Sequence, residues 1–298
     1  MTLGLIVNPT AGRGKGKTHH AEIVAELNRL GVEFVDFTSR SREECEAKAR
    51  VAIASGQVTS LAVAGGDGMI NIGANLAMEG GVPLGIIPCG TGNDIARALG
   101  LPIDDVVWAT QILVDHRELL TQVDIGRASS SAGQFFFLGS IAAGFDALVN
   151  ARANRMKFIK GPSRYKWALY LELSRFKKIS YQLVVDGEIH LVDGMLCTIA
   201  NVPSYGGGMK ITPDARINDG ELDLFIVHKI SRPELIKVFP HVYTGTHVTH
   251  PAVNIVRVKK VQIEAGQTPV FADGEAAGHA PVSIEVMPAG LSLMVPAV

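Results

Sequence analysis

Cysteine is scarce and odd in number: Cys45, Cys89 and Cys197 are the only three in 298 residues. Widely spaced, they offer neither a disulfide framework nor a zinc-binding motif, and they fit a reducing compartment such as the cytoplasm. Charge of one sign is also missing. The formal net charge of −1 argues against a general nucleic-acid binder, whose affinity depends on many phosphate contacts. No window approaches the roughly 20 apolar residues needed to span a bilayer, so membrane contact is expected to be peripheral and transient. The opening MTLGLIVNPTAGRGK does not read as a signal peptide, because its apolar stretch is short and precedes the basic residues. Internal repeats, linkers and low-complexity tracts are absent as well.

What is there is apolar. Hydrophobic residues make up 47% and charged residues 19%, enough burial to offset the entropy of ordering the chain. The length suits two domains, expected over 1–122 and 123–298, with the last strand able to return to the first domain.

The first 125 residues alternate strand and helix signals. Leu3 to Val7 is an apolar run ending in Asn8-Pro9, and Ile23, Leu27 and Leu30 then recur at helical spacing before Gly31. Glu33 to Phe37 reads as a strand, Arg42 to Ala54 as a helix, Ser60 to Ala64 and Val82 to Ile87 as strands. Asn93-Asp94 reads as the cap of a helix carrying Ile95, Ala98 and Leu99. Such alternation implies a parallel sheet flanked by helices, with ligands at the carboxyl ends of its strands. Three loops fall there: 8–16, 65–68 and 88–94.

From about residue 122 the pattern becomes β-rich. Strands are expected at 134–140, 181–185, 195–200, 222–227, 253–263, 269–272, 282–287 and 291–295. Asp-Gly pairs at 186–187, 193–194, 219–220 and 273–274 read as tight hairpins. A helical segment at about 145–178 and a short helix after Pro233 interrupt what reads as a mostly antiparallel sandwich or barrel.

The loops carry the chemistry. Gly16-Lys17-Thr18 matches the end of a P-loop, but Ala11 stands where its first glycine belongs. A solvated glycine-rich turn and a phosphate-facing loop of another design remain alternatives. In Gly65-Gly66-Asp67-Gly68 the glycines free backbone N–H groups for phosphate oxygens. The aspartate would repel phosphate unless Mg²⁺ lies between them. A tight strand-to-helix turn is the plainer reading of the same residues. Pro88-Cys89-Gly90-Thr91-Gly92-Asn93-Asp94 repeats the design at the next strand end, and the two loops can wall one nucleotide cleft.

These motifs, with Asn8-Pro9 and the late Asp273-Gly274-Glu275, resemble the diacylglycerol kinase catalytic family, which includes bacterial lipid kinases and the sphingosine and ceramide kinases. The resemblance runs in order through nearly the whole chain. It implies an α/β + β fold: an N-terminal Rossmann-like parallel-sheet nucleotide domain, a C-terminal mostly antiparallel β-sandwich, and an active site in the cleft between them. It implies that Asn8, Pro9, Thr10, Ala11, Gly12, Thr38, Gly66, Asp67, Gly68, Met69, Ile70, Asn71, Ile72 and Thr91 line an ATP site. Asp67 and Asp94 would organise the catalytic Mg²⁺, Glu275 would be the general base, and Asp124 would support base and metal. In Pro213–Glu221 the resemblance implies a structural Mg²⁺ held by Asp219 through its side chain and by Arg216 and Glu221 through main-chain carbonyls. Met69 and Ile72 depart from the family, which usually has threonine and glutamate there.

The implied reaction is transfer of the γ-phosphate of ATP to a hydroxyl of a diacylglycerol-like lipid. The alternatives are an NAD or sugar kinase using the same Gly-Gly-Asp-Gly site, and a non-catalytic nucleotide-binding regulator. Asp186-Gly187-Glu188 repeats the letters of 273–275 and is a rival position for the base. The stretch 152–178 has nine Lys or Arg, one acid and interleaved aromatics, a pattern able to lie on an anionic membrane surface, or simply an amphipathic helix with a solvated face. In it, Lys157, Lys160 or Lys166 could instead reach the phosphates. His241, His247 and His250 read as a polar loop. Lipid at a membrane surface is the expected partner, and a homodimer is compatible with the sequence.

Overall fold

The computed structural model describes residues 2–39, 41–156, 167–168, 171–172 and 178–298, without the side chains at 13, 153, 154 and 232. Most of the basic aromatic segment, including Lys157, Phe158, Lys160 and Lys166, therefore lies outside the described residues. Among the described residues no helix is long and apolar enough to cross a membrane.

The N-terminal half is a parallel sheet. Strands β1 (Leu3–Val7), β2 (Phe34–Asp36), β3 (Ser60–Gly65) and β4 (Leu84–Pro88) lie in the order β4-β3-β1-β2. Helices α1 (Ala11–Gly14), α2 (Gly16–Arg29), α3 (Arg42–Ala54), α4 (Asp67–Gly80), α5 (Asp94–Ala98) and α6 (Val106–Asp115) connect and cover it. The strands read as continuous apolar runs because both faces are buried. Leu61 and Val63 of β3 pack with Ile70 and Ala74 of α4, while Ala62 and Ala64 face Ile23 and Leu27 of α2 and Leu113 of α6. Each such large side chain contributes about 1.5–3 kcal/mol of burial.

The C-terminal half holds β5 (Thr121–Ser130), β6 (Gly133–Phe137), β7 (Ser140–Ala142), α7 (Phe145–Arg155), β8 (Ile179–Val185) and β9 (Glu188–Ala200). It continues with β10 (Leu222–His228), α8 (Arg232–Val238), two short 3₁₀ turns, β11 (Val253–Val258), β12 (Lys260–Glu264), β13 (Pro269–Ala272), β14 (Glu275–His279) and β15 (Val282–Leu293). The pairings among these strands are antiparallel. The fold is the expected α/β nucleotide-type sheet joined to an antiparallel sandwich-like unit.

The two sheets are one hydrogen-bonded surface because β15 belongs to both. Its first part pairs antiparallel with β12 and β5, and Leu293 then pairs in parallel with Leu84 of β4. Between Met287 and Leu291 the register shifts, with Ala289 at φ 49. The runs 282–287 and 291–295 are therefore one bulged strand. Conversely, the run 253–263 breaks at Lys259 into β11 and β12, whose backbone N–H is donated to Asp186 Oδ1 at 3.1 Å.

Of the four Asp-Gly pairs, 186–187 and 273–274 are hairpin turns, with both residues of each at positive φ. Asp193-Gly194 is not a turn but lies inside β9, where Asp193 is held by Lys178 and Ser180. Asp219-Gly220 precedes β10 and joins no adjacent strand pair.

Candidate active site

The strand ends of the parallel sheet bring the three loops together. Asn8, just past β1, accepts hydrogen bonds through Oδ1 from Thr10 N at 2.9 Å and Thr10 Oγ1 at 2.8 Å, which tightens the turn into α1. Thr38, past β2, accepts the Val7 amide at 3.0 Å. Loops 65–68 and 88–94 touch backbone to backbone: a Cβ on Gly90 would lie 2.3 Å from Gly66 Cα. Only glycine permits that approach. Gly12 has φ +61, and a Cβ there would meet the Cys89 carbonyl at 3.1 Å, so the first loop leans on the third.

Asp67 opens α4 and Asp94 opens α5. Their carboxylates share one neighbour, since a Cβ on Gly92 would stand 3.0 Å from Asp67 Oδ2 and 3.5 Å from Asp94 Oδ2. Asp67 also accepts the Ile95 amide at 3.1 Å. Burial, with the Asp94 charge adding to it, raises the Asp67 carboxyl above the usual carboxylate range. A divalent cation on Asp67 would offset both its burial and the neighbouring Asp94 charge, so this carboxylate fits Mg²⁺.

Asp94 does a second job. Its oxygens accept from Ser204 Oγ at 3.0 Å and from the amides of Gly207 and Gly208 at 2.6 and 2.7 Å. It therefore fastens the loop 203–209 of the other half to the phosphate-type loop. The expected capping of α5 is not its work: Asn93, at φ 55, is the N-cap, and neither gives a side-chain cap.

Glu275, first in β14, places Oε1 3.0 Å from the Cβ position of Gly68 and receives Arg42 on Oε2 at 2.7 Å. It stands over the start of α4. Glu188, in the rival Asp-Gly-Glu, is exposed on the β8–β9 hairpin, with His190 3.9 Å away.

Within 66–72 the side chains divide. Gly66, Asp67, Gly68 and half-buried Met69 line the loop, and Met69 lies back over Gly65, whose Cβ would fall 2.5 Å from Met69 Cβ. Ile70 and Ile72 do not line it: their side chains are buried in the core, drawn by the apolar face of α4. Asn71 is buried too and donates to Asp273 and to the Phe136 carbonyl, both at 3.0 Å. Thr91 is exposed at the loop tip.

Asp124 is buried at the junction of the two sheets. Its two oxygens accept the amides of Ala289 at 2.7 Å and Gly220 at 2.6 Å, so it stabilises the bulge where β15 crosses between sheets and anchors the turn at 219–220. In that turn Asp219 meets Arg257 at 2.8 Å and accepts the Glu221 amide at 3.2 Å, while Arg216 is exposed. Asp223 behind it is pushed up to about 6, first by burial and then by Asp219, Asp214 and Glu221. Arg257, which pairs with Asp219 and Glu221, lowers it. Among the described residues no group of three or more His, Cys, Asp or Glu side chains is placed to hold a metal ion.

Sequence reasoning missed Asp273 as more than a turn residue. Half-buried, with its carboxylate turned inward, it accepts from Asn71 Nδ2, Leu138 N, Gly139 N and Ser140 N at 2.8–3.0 Å. It also missed the helix-starting Arg42. Nor did it find a small apolar pocket of about 50 Å³, lined by Leu196, Tyr205, Met209, Phe225, Val227 and His247 among others. Its residues come from strands and turns far apart in sequence, so no local signal marks it. Tyr205 and Met209 lie in the very loop that Asp94 holds.

Residues 2–128 match the family model described as diacylglycerol kinase catalytic domain, and residues 139–295 that of the YegS C-terminal NAD kinase beta sandwich-like domain. The diacylglycerol kinase of Mycobacterium tuberculosis (strain H37Rv) is 36% identical over 293 residues, covering 98% of this chain and 94% of that protein. The diacylglycerol kinase of Bacillus subtilis is 29% identical over 285 residues, covering 93% and 90%. A solved diacylglycerol kinase structure from Bacillus anthracis shares the fold at TM-score 0.73, with 20% identity over 99% of this chain and 96% of that one. Fold and matches together define a kinase. The chain belongs to the diacylglycerol kinase family.

Proposed function

We propose that this kinase transfers the γ-phosphate of ATP to a hydroxyl of a diacylglycerol-like lipid, with Glu275 as general base. The observation that carries the reading is the meeting of Glu275 with Gly68 across the two halves, beside Asp67. In phosphoryl transfer the protein mainly positions reactants and neutralises charge. Residues 8–12, Gly66, Gly68 and Thr91 would hold the nucleotide. Mg²⁺ on Asp67 would neutralise the phosphates, with Asp94 setting the wall that faces it. Glu275 would take the acceptor hydroxyl's proton as the new P–O bond forms. A second Mg²⁺ at Asp219, with the Arg216 and Glu221 carbonyls, would displace Arg257 and serve structure.

The lipid reading is in keeping with the apolar lining of the pocket beside the loop 203–209. Purified protein with Mg²⁺ and labelled ATP should label a chloroform-soluble product from diacylglycerol vesicles. A labelled water-soluble product alone would favour an NAD or sugar kinase. Binding without transfer to any lipid would favour a regulator.

A further inference from the structure

Arg42 is the first residue of α3, where the helix dipole opposes a positive charge. The rest of that turn follows the usual preference, with Glu43 and Glu44 and a Ser41 side chain that accepts the Glu44 amide. A cation at that position calls for an anion, and Arg42 has two: Glu275 Oε2 at 2.7 Å and Glu46 Oε1 at 2.7 Å. These are the charged groups that face it from β14 and from its own helix. Both partners of the Arg42–Glu275 pair are close to half exposed, at 48% and 43%, so the pair is solvent-screened and easily exchanged. It nevertheless sits at the mouth of the cleft, one carboxylate away from Gly68.

We propose that Arg42 reads the terminal phosphate of the nucleoside triphosphate, and that its pairing with Glu275 is the position it leaves when that phosphate arrives. The proposal rests on the reading of the cleft as a nucleotide site. Three physical points support it. Arg42 meets Glu275 through a single exposed contact, whereas a guanidinium can hold phosphate oxygens bidentately, so exchange of this carboxylate for a phosphate is favourable. Departure of Arg42 also leaves Glu275 Oε2 without its guanidinium partner, and so open to the acceptor hydroxyl when the phosphoryl donor is in place. Finally, α3 does not depend on the pair for its place, because Arg50 joins Glu79 of α4 at 2.7 Å. Glu46 can remain with Arg50, 3.4 Å away.

Calorimetric titration with Mg²⁺–ATP and Mg²⁺–ADP, in the absence of lipid, tests this without any turnover. Arg42→Ala should weaken ATP binding by about tenfold or more while leaving ADP binding within about twofold. Arg42→Lys should recover part of the difference. Glu46→Ala, which removes the other partner, should leave the ATP-to-ADP ratio as in the wild type. Equal losses for both nucleotides, or unchanged binding of both, would overturn the proposal while leaving the cleft reading intact. Wild-type protein that binds neither nucleotide would overturn the cleft reading, and the proposal with it. Circular dichroism melts of each variant separate these results from unfolding.

Discussion

Asp273 and Asn71 are 202 positions apart, and the Asn71 side-chain amide donates to the Asp273 carboxylate at 3.0 Å. Through this contact the β13–β14 turn is fixed to α4, and Glu275, two residues later, is carried to the start of that helix. Three backbone amides of 138–140 complete the set around Asp273. Removing a buried acceptor strands its donors at about 1–3 kcal/mol each. Asp273→Ala should therefore cost at least about 3 kcal/mol in urea unfolding, and activity should fall even in the fraction that remains folded.

Asp94→Ala should act through the loop it holds. Faster amide hydrogen exchange at Gly207 and Gly208 is expected, since both amides donate to Asp94. Exchange unchanged at these two glycines would show that the loop is fastened by something else.

Gly90→Ala should separate the two strand-end loops, because its Cβ would fall 2.3 Å from Gly66 Cα. Backbone cannot swing aside as a side chain can, so ATP affinity should drop by about tenfold or more. Gly100→Ala, with open space at its Cβ position but a positive φ, should affect stability and leave ATP affinity near wild type.

Asp146 is buried, accepts from Thr198 Oγ1 at 2.5 Å, and is pushed by burial from 3.8 up to about 6. Its folded pKa lies above the unfolded value, so the folded state binds the proton more readily. Its stability contribution is full below about pH 4 and is lost as pH rises through about 6. Unfolding free energies measured across this window should show a smaller downward slope in Asp146→Asn than in the wild type.

Much of this architecture was legible because its signals are local. Helix 42–54 and strand 269–272 match their expected bounds, fixed by Ser41 and by flanking turn residues. The phosphate-type loops were readable because glycine clusters at strand ends are themselves local. What escaped depends on tertiary contact. β5 and β14 were missed because Thr121–Ser130 mixes polar and apolar residues and Glu275–His279 is short and alanine-rich. The structural partners of Asp94 and Asp124, which the resemblance gives only metal and base roles, were not legible. These partners, Gly207 and Ala289, lie 113 and 165 positions away. The resemblance places Ile70 and Ile72 at the site, but the apolar face of α4 turns their side chains into the core.

The central claim is that Glu275, standing over Gly68, removes the proton from a lipid hydroxyl. Transfer from labelled ATP to diacylglycerol vesicles, compared between wild type and Glu275→Gln, tests it most directly. Loss of a positioned general base predicts a fall in turnover of about 10²–10⁴-fold, with ATP still bound. Turnover in Glu275→Gln equal to the wild type would contradict the assignment.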